Sequence, residues 1–201
     1  MIVQARERDA QAINVELRNS IAIVRFNQPS TRNSLSIKTL CELDETVSSL
    51  VQCKEISTLI FTGTGDVFAS GANISELADL NAETARTFAK LGQSILTKVA
   101  KARPTTIAAI NGYCFGGGLD LALACELRCA SANAVFAHPG ATLGIITGWG
   151  GTQRLPRLIG MARAVEMFTT ARRVTSKEAF EIGLVDRIAD PVLECALELV
   201  K

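Results

Sequence analysis

The sequence predicts an α/β fold, on three observations. Short runs rich in β-branched residues, such as Thr58–Thr62 and Thr105–Ile110, alternate with longer stretches whose apolar residues recur at helical spacing. That alternation is the pattern of strands joined through helices. Glycine-rich turns stand where a strand hands over to a helix, above all at Gly116-Gly117-Gly118. Finally, 48% of the 201 residues are hydrophobic and 20% charged, enough apolar side chain to bury a sizeable core. No linker, low-complexity segment or clean repeat divides the chain, so residues 1–201 are read as one domain.

The elements follow in order. Residues 13–26 read as two strands with Asn19-Ser20 as the turn between them. Residues 27–33 are rich in turn formers and make a loop. Ser36 caps a helix running to about Cys53, with Leu40, Leu43, Val47 and Leu50 on one face. Thr58–Thr62 is a buried strand, and Gly63-Thr64-Gly65-Asp66 turns out of it into a loop of small residues over 67–74. A helix over 82–102 buries Phe88, Leu91, Ile95 and Val99, and Pro104 ends it. Thr105–Ile110 is a strand, and residues 111–118 form a glycine-rich turn into a helix over 119–124. Two short strands occupy 127–130 and 134–136. Gly148-Trp149-Gly150-Gly151 opens a helical region from about Thr152, and 164–169, 176–182 and 191–200 are short helices.

Composition removes several function classes. Lys and Arg total 21 and Asp and Glu 20, a net charge of +1. Nucleic-acid affinity rests on neutralising phosphates, so a dedicated nucleic-acid binder is not expected. One Trp and one Tyr build no stacking platform for single strands. His138 is the only histidine, and Cys41, Cys53, Cys114, Cys125, Cys129 and Cys195 contain no C-x-x-C pair, so no metal site is expected. Apolar neighbours make Cys125 and Cys129 buried free thiols. The first 18 residues are polar and carry Arg6, Glu7, Arg8 and Asp9, unlike a secretory or transit peptide. No uninterrupted apolar run approaches the roughly 20 residues of a membrane span. The expected setting is a reducing cytoplasm, away from membranes.

Two segments present their backbone unusually, Phe68-Ala69-Ser70-Gly71-Ala72-Asn73 and Gly116-Gly117-Gly118. Small residues let a ligand approach the main chain, and free N–H groups at a helix start favour negative charge. Two such donors aimed at one point make an oxyanion hole, and each is worth about 3–4 kcal/mol toward a developing enolate. Tight strand-to-helix packing explains either segment alone equally well. Nucleotide motifs are missing: there is no G-x-x-x-x-G-K-[ST], and neither Gly63-x-Gly65 nor the triple glycine has G-x-G-x-x-G spacing. No G-x-S-x-G supports a Ser-His-Asp hydrolase.

Taken together, these segments resemble the crotonase (enoyl-CoA hydratase/isomerase) family, in four ordered matches over nearly the whole chain. Asn27-Gln28-Pro29 through Asn33-Ser34-Leu35 is similar to the family's first loop, and Phe68-Ala69-Ser70-Gly71-Ala72-Asn73-Ile74 to its F-x-A-G-A-D-I signature. The long glycine signature is matched by Ala109-Ile110-Asn111-Gly112-Tyr113-Cys114-Phe115-Gly116-Gly117-Gly118, and the next by Leu143-Gly144 through Leu155-Pro156. Glu178-Ala179 and Gly183-Leu184-Val185-Asp186 match a late segment. The resemblance implies the ClpP/crotonase spiral of ββα units, here short at the C-terminus because family chains usually continue as further helices. It implies acyl-CoA thioester as substrate with no separate cofactor, and a homo-oligomer, a trimer or dimer of trimers. It makes the backbone N–H groups of Ala72 and Gly117 the oxyanion donors, and Asp120 the acid/base carboxylate. Arg32, Ser34, Ala69, Ala72, Ile74, Gly117 and Gly140 become the substrate-binding positions.

The departures matter as much. Family hydratases use two glutamates: Asp120 stands at the first position and Gly140 at the second. Ser75 stands where many members have a nucleotide-binding lysine, Gly148 where some carry an aspartate, and Thr147 where naphthoate synthases of the family carry one. Hydration normally needs a base for water and an acid for the α-carbon, whereas an isomerase needs one base that removes a proton and returns it. Three readings therefore stand: an enoyl-CoA hydratase or isomerase working through an enolate, a catalytically degenerate acyl-CoA binder, or another enolate reaction such as decarboxylation. His138, two residues before Gly140, either reaches the pocket in a catalytic role or is a structural histidine with its hydrogen bonds satisfied.

Overall fold

The computed structural model describes residues 11–200, so the expectation drawn from Arg6, Glu7, Arg8 and Asp9 lies outside the described residues. The chain opens with an antiparallel hairpin, β1 (Ile13–Arg18) and β2 (Ile21–Phe26), with Asn19 at φ 54° in the turn. Asparagine tolerates this left-handed backbone better than most residues. The first helix, α1 (Ile37–Gln52), starts where the Ser36 hydroxyl accepts the Thr39 N–H at 3.1 Å, and buries Leu40, Leu43 and Val47 as their spacing requires.

From here the chain repeats one device: a strand in one sheet, a strand in a second, then helix. The first turn is β3 (Thr58–Thr62), β4 (Val67–Ala69), the short α2 (Ile74–Ala78) and α3 (Ala82–Ala100). The second is β5 (Thr105–Ile110), β6 (Tyr113–Phe115) and α4 (Gly117–Ala124). The third is β7 (Leu127–Ala130), β8 (Val135–Ala137), α5 (Gly151–Ile159) and α6 (Met161–Thr170). The chain then adds β9 (Val174–Thr175), α7 (Ser176–Glu181), β10 (Arg187–Ile188) and α8 (Val192–Glu198). The resulting sheets have orders β1-β2-β3-β5-β7-β10 and β4-β6-β8-β9. Within the first, only β1 and β2 are antiparallel; within the second, only β8 and β9. This is the spiral of ββα units.

In the large sheet the central strands β2, β3 and β5 are buried on both faces, which is why they read as apolar runs, whereas the edge strands β1 and β10 are largely exposed. One face, with Val24, Phe61 and Ile110, joins the main core between the sheets and helices. The other, with Ile23, Ile60, Ile107 and Cys129, is covered by Val192, Cys195 and Ala196 of α8. Cys125 and Cys129 are both buried free thiols, and Cys129 Sγ lies 3.7 Å from Cys195 Sγ.

In the small sheet β8 falls where a strand over 134–136 is expected, but two other strands depart from the sequence reading. The loop over 67–74 contains β4 and ends in α2, and the turn over 111–118 contains β6. Three residues are too few to display a period, and turn-forming glycines flank both strands. The α4 helix starts at Gly117, two residues before the expected Leu119, and α6 starts at Met161 rather than Ala164. Among the described residues no helix is long and apolar enough to cross a membrane.

Candidate active site

The second halves of the ββα units converge on a cavity of about 260 Å³. Its walls are the Ser70–Ala72 backbone after β4, one face of α2 and α3, the Gly116-Gly117 turn before α4, and the connection from His138 to Trp149. The two glycine segments meet here. Gly71 has φ +96°, and a Cβ at that residue would stand 3.0 Å from the Phe115 carbonyl and 3.2 Å from the Gly117 nitrogen. Only glycine lets the two backbones lie this close. Leu35 forms a parallel bridge with Ala72 in which the Leu35 N–H donates to the Gly71 carbonyl at 2.8 Å. That pairing leaves the Ala72 N–H unused. Gly117 is the first residue of α4, so its N–H has no acceptor within the helix.

Trp149 fixes this arrangement from behind. Its ring lies where a Cβ on Gly117 would be, 2.2 Å from Cζ3, and also where a Cβ on Gly92 of α3 would be, at 2.3 Å. It packs on Phe88 with ring centroids 5.3 Å apart. Sequence reasoning passed over Trp149 as a part of the site. The signal was there: glycines spaced along other elements are the holes a single large ring fills.

Among the residues singled out from sequence, Ala72, Ile74, Gly117 and Gly140 line the cavity. Three others are not on its wall. Ala69 is fully buried behind it, within 2.8 Å of a Cβ placed on Gly118. Ser34 is half-buried beside the Leu35 bridge. Arg32 is exposed, and its guanidinium sits 5.2 Å from the centroid of the Tyr113 ring. Gly140 has a structural reason to be glycine: a Cβ there would stand 2.5 Å from the Ile145 carbonyl, and the Gly140 carbonyl accepts the Ile145 N–H at 3.0 Å. As the backbone runs, this position has no room for a side chain.

Asp120 is also off the cavity wall. It lies one turn into α4 with its N–H donating to the Gly116 carbonyl at 2.9 Å, and it is 0% exposed. The Thr147 hydroxyl donates to its Oδ2, and Oδ1 has no hydrogen-bond partner among the described residues. Burial pushes its pKa up from 3.8 to about 6. The Thr147 hydroxyl, the backbone N–H groups of Trp149 and Gly151, and the charge of Arg154 hold it from rising further. Gly151 opens α5 against this carboxylate: a Cβ there would stand 2.1 Å from Asp120 Oδ1.

His138 lines the cavity next to this pair. It is 2% exposed, its ring is 4.9 Å from that of Phe168, and neither ring nitrogen has a hydrogen-bond partner among the described residues. Nε2 lies 3.7 Å from Asp120 Oδ1. Burial pushes the imidazole down to about 4, so near neutral pH it is uncharged and the contact is not an ion pair. Besides Ser70, the polar side chains on the cavity wall are Thr147 and His138, with the Asp120 carboxylate behind them.

Two sheets wound by repeated ββα units around such a cavity define the crotonase fold. The chain superposes on the crystal structure of an enoyl-CoA hydratase from Bacillus anthracis with a TM-score of 0.90 and 37% identity, covering 94% of this chain and 75% of that one. Residues 16–201 match the enoyl-CoA hydratase/isomerase family, and the chain belongs to it. It is 38% identical over 178 residues to a short-chain-enoyl-CoA hydratase of Clostridium acetobutylicum, over 88% of this chain and 68% of that relative. It is 39% identical over 180 residues to a crotonyl-CoA hydratase of Syntrophomonas wolfei, over 89% and 69%.

Proposed function

We propose that this chain is an acyl-CoA enzyme that hydrates or isomerises an enoyl thioester through an enolate. The observation that carries the reading is the meeting of the Ala72 and Gly117 segments on one cavity, each with an N–H outside regular pairing. Both donors belong to backbone locked by glycine packing, so they need no reorganisation as the thioester oxygen gains charge. Asp120 is the acid/base carboxylate, and its raised pKa suits a group that must both take and return a proton. Arg32, Ser34, Ile74 and Gly140 are the further substrate-binding positions, with Arg32 and Ser34 on the loop outside the cavity; Ala69, fully buried behind the wall, is a packing residue and not one of them. The reaction takes no cofactor beyond its thioester substrate. The working form is a homo-oligomer of one-domain chains, a trimer or dimer of trimers, in the cytoplasm.

A second reading, a degenerate acyl-CoA binder, draws on one observation: the lone carboxylate does not touch the cavity, and Gly140 leaves no room for another. One experiment separates the two. Purified protein is given crotonyl-CoA and a 3-enoyl-CoA, and the 2-enoyl absorbance is followed. Loss on the first substrate is hydration and gain on the second is isomerisation, and Asp120→Asn removes either. Acyl-CoA binding by calorimetry without turnover of either thioester sinks the enzymatic reading.

A further inference from the structure

The proposed chemistry leaves a gap of one residue. The buried Asp120 carboxylate is separated from the cavity, and the side chains between them are Thr147 and His138. Of these, only Thr147 is hydrogen-bonded to the carboxylate. A hydroxyl donates one proton and still accepts through its lone pairs. Thr147 gives its proton to Asp120 Oδ2, so its free lone pairs remain for a donor in the cavity. The threonine is held in place. Gln93 Nε2 donates to the Gly148 carbonyl at 2.7 Å on one side, and a Cβ on Gly151 would stand 2.9 Å from its Cγ2 on the other.

Resting on the enoyl-CoA reading above, we infer that Thr147 is the catalytic residue that touches the reacting atoms, and that it passes protons between them and Asp120. In hydration, a water oxygen forms a bond to the β-carbon of the 2-enoyl thioester. The π electrons move onto the thioester oxygen, between the Ala72 and Gly117 N–H groups. The proton lost by the water goes to Thr147 Oγ1 as the hydroxyl proton of Thr147 goes to Asp120 Oδ2. In the second half the path reverses: Asp120 returns its proton to Thr147, Thr147 gives its proton to the α-carbon, and the enolate electrons form that C–H bond. One water has been added and every group is restored. A single carboxylate serves both halves, which suits a site where Gly140 leaves no room for a second.

The test compares Thr147→Val, Thr147→Ser, Asp120→Asn and the Thr147→Val, Asp120→Asn double variant on the enoyl thioester that the wild type turns over. Valine keeps the threonine shape and removes only the hydroxyl. Thr147→Val is expected to lower kcat about 100-fold or more, the usual scale of acid/base catalysis, with KM within about threefold. Thr147→Ser returns kcat to within about fivefold of wild type, a rescue that a packing role for the methyl group does not give. The double variant is no worse than Asp120→Asn alone, because both remove one relay. If Thr147→Val does not fold, as judged by its thermal transition, Thr147→Ala is read in its place against the same serine variant. Turnover that Asp120→Asn abolishes but Thr147→Val leaves within about threefold overturns this inference alone. A wild type inert toward both thioesters overturns the enzymatic reading and this inference with it.

Discussion

The two sides of the cavity are built by opposite means. On one side Ala72 and Gly117 present main chain, and what fixes them is absence: no Cβ at Gly71, Gly117 or Gly92, so that backbones and the Trp149 ring can close up. On the other side Asp120, Thr147 and His138 present side chains: Asp120 and His138 are buried, and the half-buried Thr147 is hydrogen-bonded to the Asp120 carboxylate. The backbone side has no titration and answers only to sterics. The side-chain side answers to pH and to single-atom changes. The backbone half is thus sensitive to shape alone, and the polar half to both pH and shape.

The largest effect should come from breaking the shape of the backbone side. In Gly117→Ala the new Cβ meets the Trp149 ring at 2.2 Å, so either the ring or the start of α4 must move. Overpacking of this kind costs about 1–3 kcal/mol, and if Gly117 is an oxyanion donor as proposed, displacing it costs about 100- to 1000-fold in kcat. A lowered melting temperature together with that loss is the expected outcome. An alanine variant with wild-type turnover would show that the Gly117 N–H is not where the charge develops.

Asp120→Asn comes next, and here activity and stability should move in opposite directions. The carboxyl pKa is 3.8 when exposed and about 6 in the fold, so the folded state holds the proton more tightly. Stability linked to this group is fully present below pH 3.8 and is lost as pH rises through about 6. The change amounts to about 3 kcal/mol at most. Asparagine stays neutral throughout. The variant should therefore lose about 100-fold or more in kcat, yet unfold at higher denaturant than wild type at pH 7.5. The wild-type rate should rise with pH through about 6, as the ionised carboxylate forms. Groups facing Asp120 (His138, Thr147, Arg154) are unchanged in this comparison. His138 works the other way. Its pKa falls from 6.5 to about 4 in the fold, so its contribution is present above pH 6.5 and is lost as pH falls toward 4. His138→Gln should remove that acid-side loss. Urea titrations of both variants at pH 4, 6 and 7.5 separate the two trends, and parallel curves for wild type and His138→Gln would refute the histidine's part.

The same division governs what the sequence could disclose. The large sheet was legible because β2, β3 and β5 are long and apolar enough to be recognised, and so were α1 and α3 with their capped, periodic faces. In the small sheet β8 was legible, but β4 and β6 were not, since these three-residue strands sit among glycines that read as turn. In the site, the two glycine segments were legible as backbone surfaces, and the structure brings them together. Asp120 was legible as a carboxylate at a helix start, but its distance from the cavity was not: that depends on the connection from His138 to Trp149 folding over it, which no local pattern encodes. Thr147 was visible only as a departure, because a hydroxyl gains its meaning from the acceptor it reaches.

The smallest effect should come from the rim, outside both halves. Arg32 is exposed, and its guanidinium lies over the face of Tyr113, whose ring centroid is 5.5 Å from that of Phe115. An exposed cation over an aromatic ring contributes about 0.5–1 kcal/mol, so Arg32→Ala should barely move the melting temperature. If the guanidinium also meets a phosphate of CoA, its loss removes binding that substrate and transition state share. KM should then rise severalfold with kcat unchanged, and the effect should shrink as salt is added. Arg32→Lys tells the two roles apart: lysine keeps the charge but gives up the planar guanidinium that stacks on Tyr113. A lysine variant with wild-type KM makes Arg32 a charge for the nucleotide. An alanine variant with unchanged KM leaves it a surface residue and takes it out of the binding site.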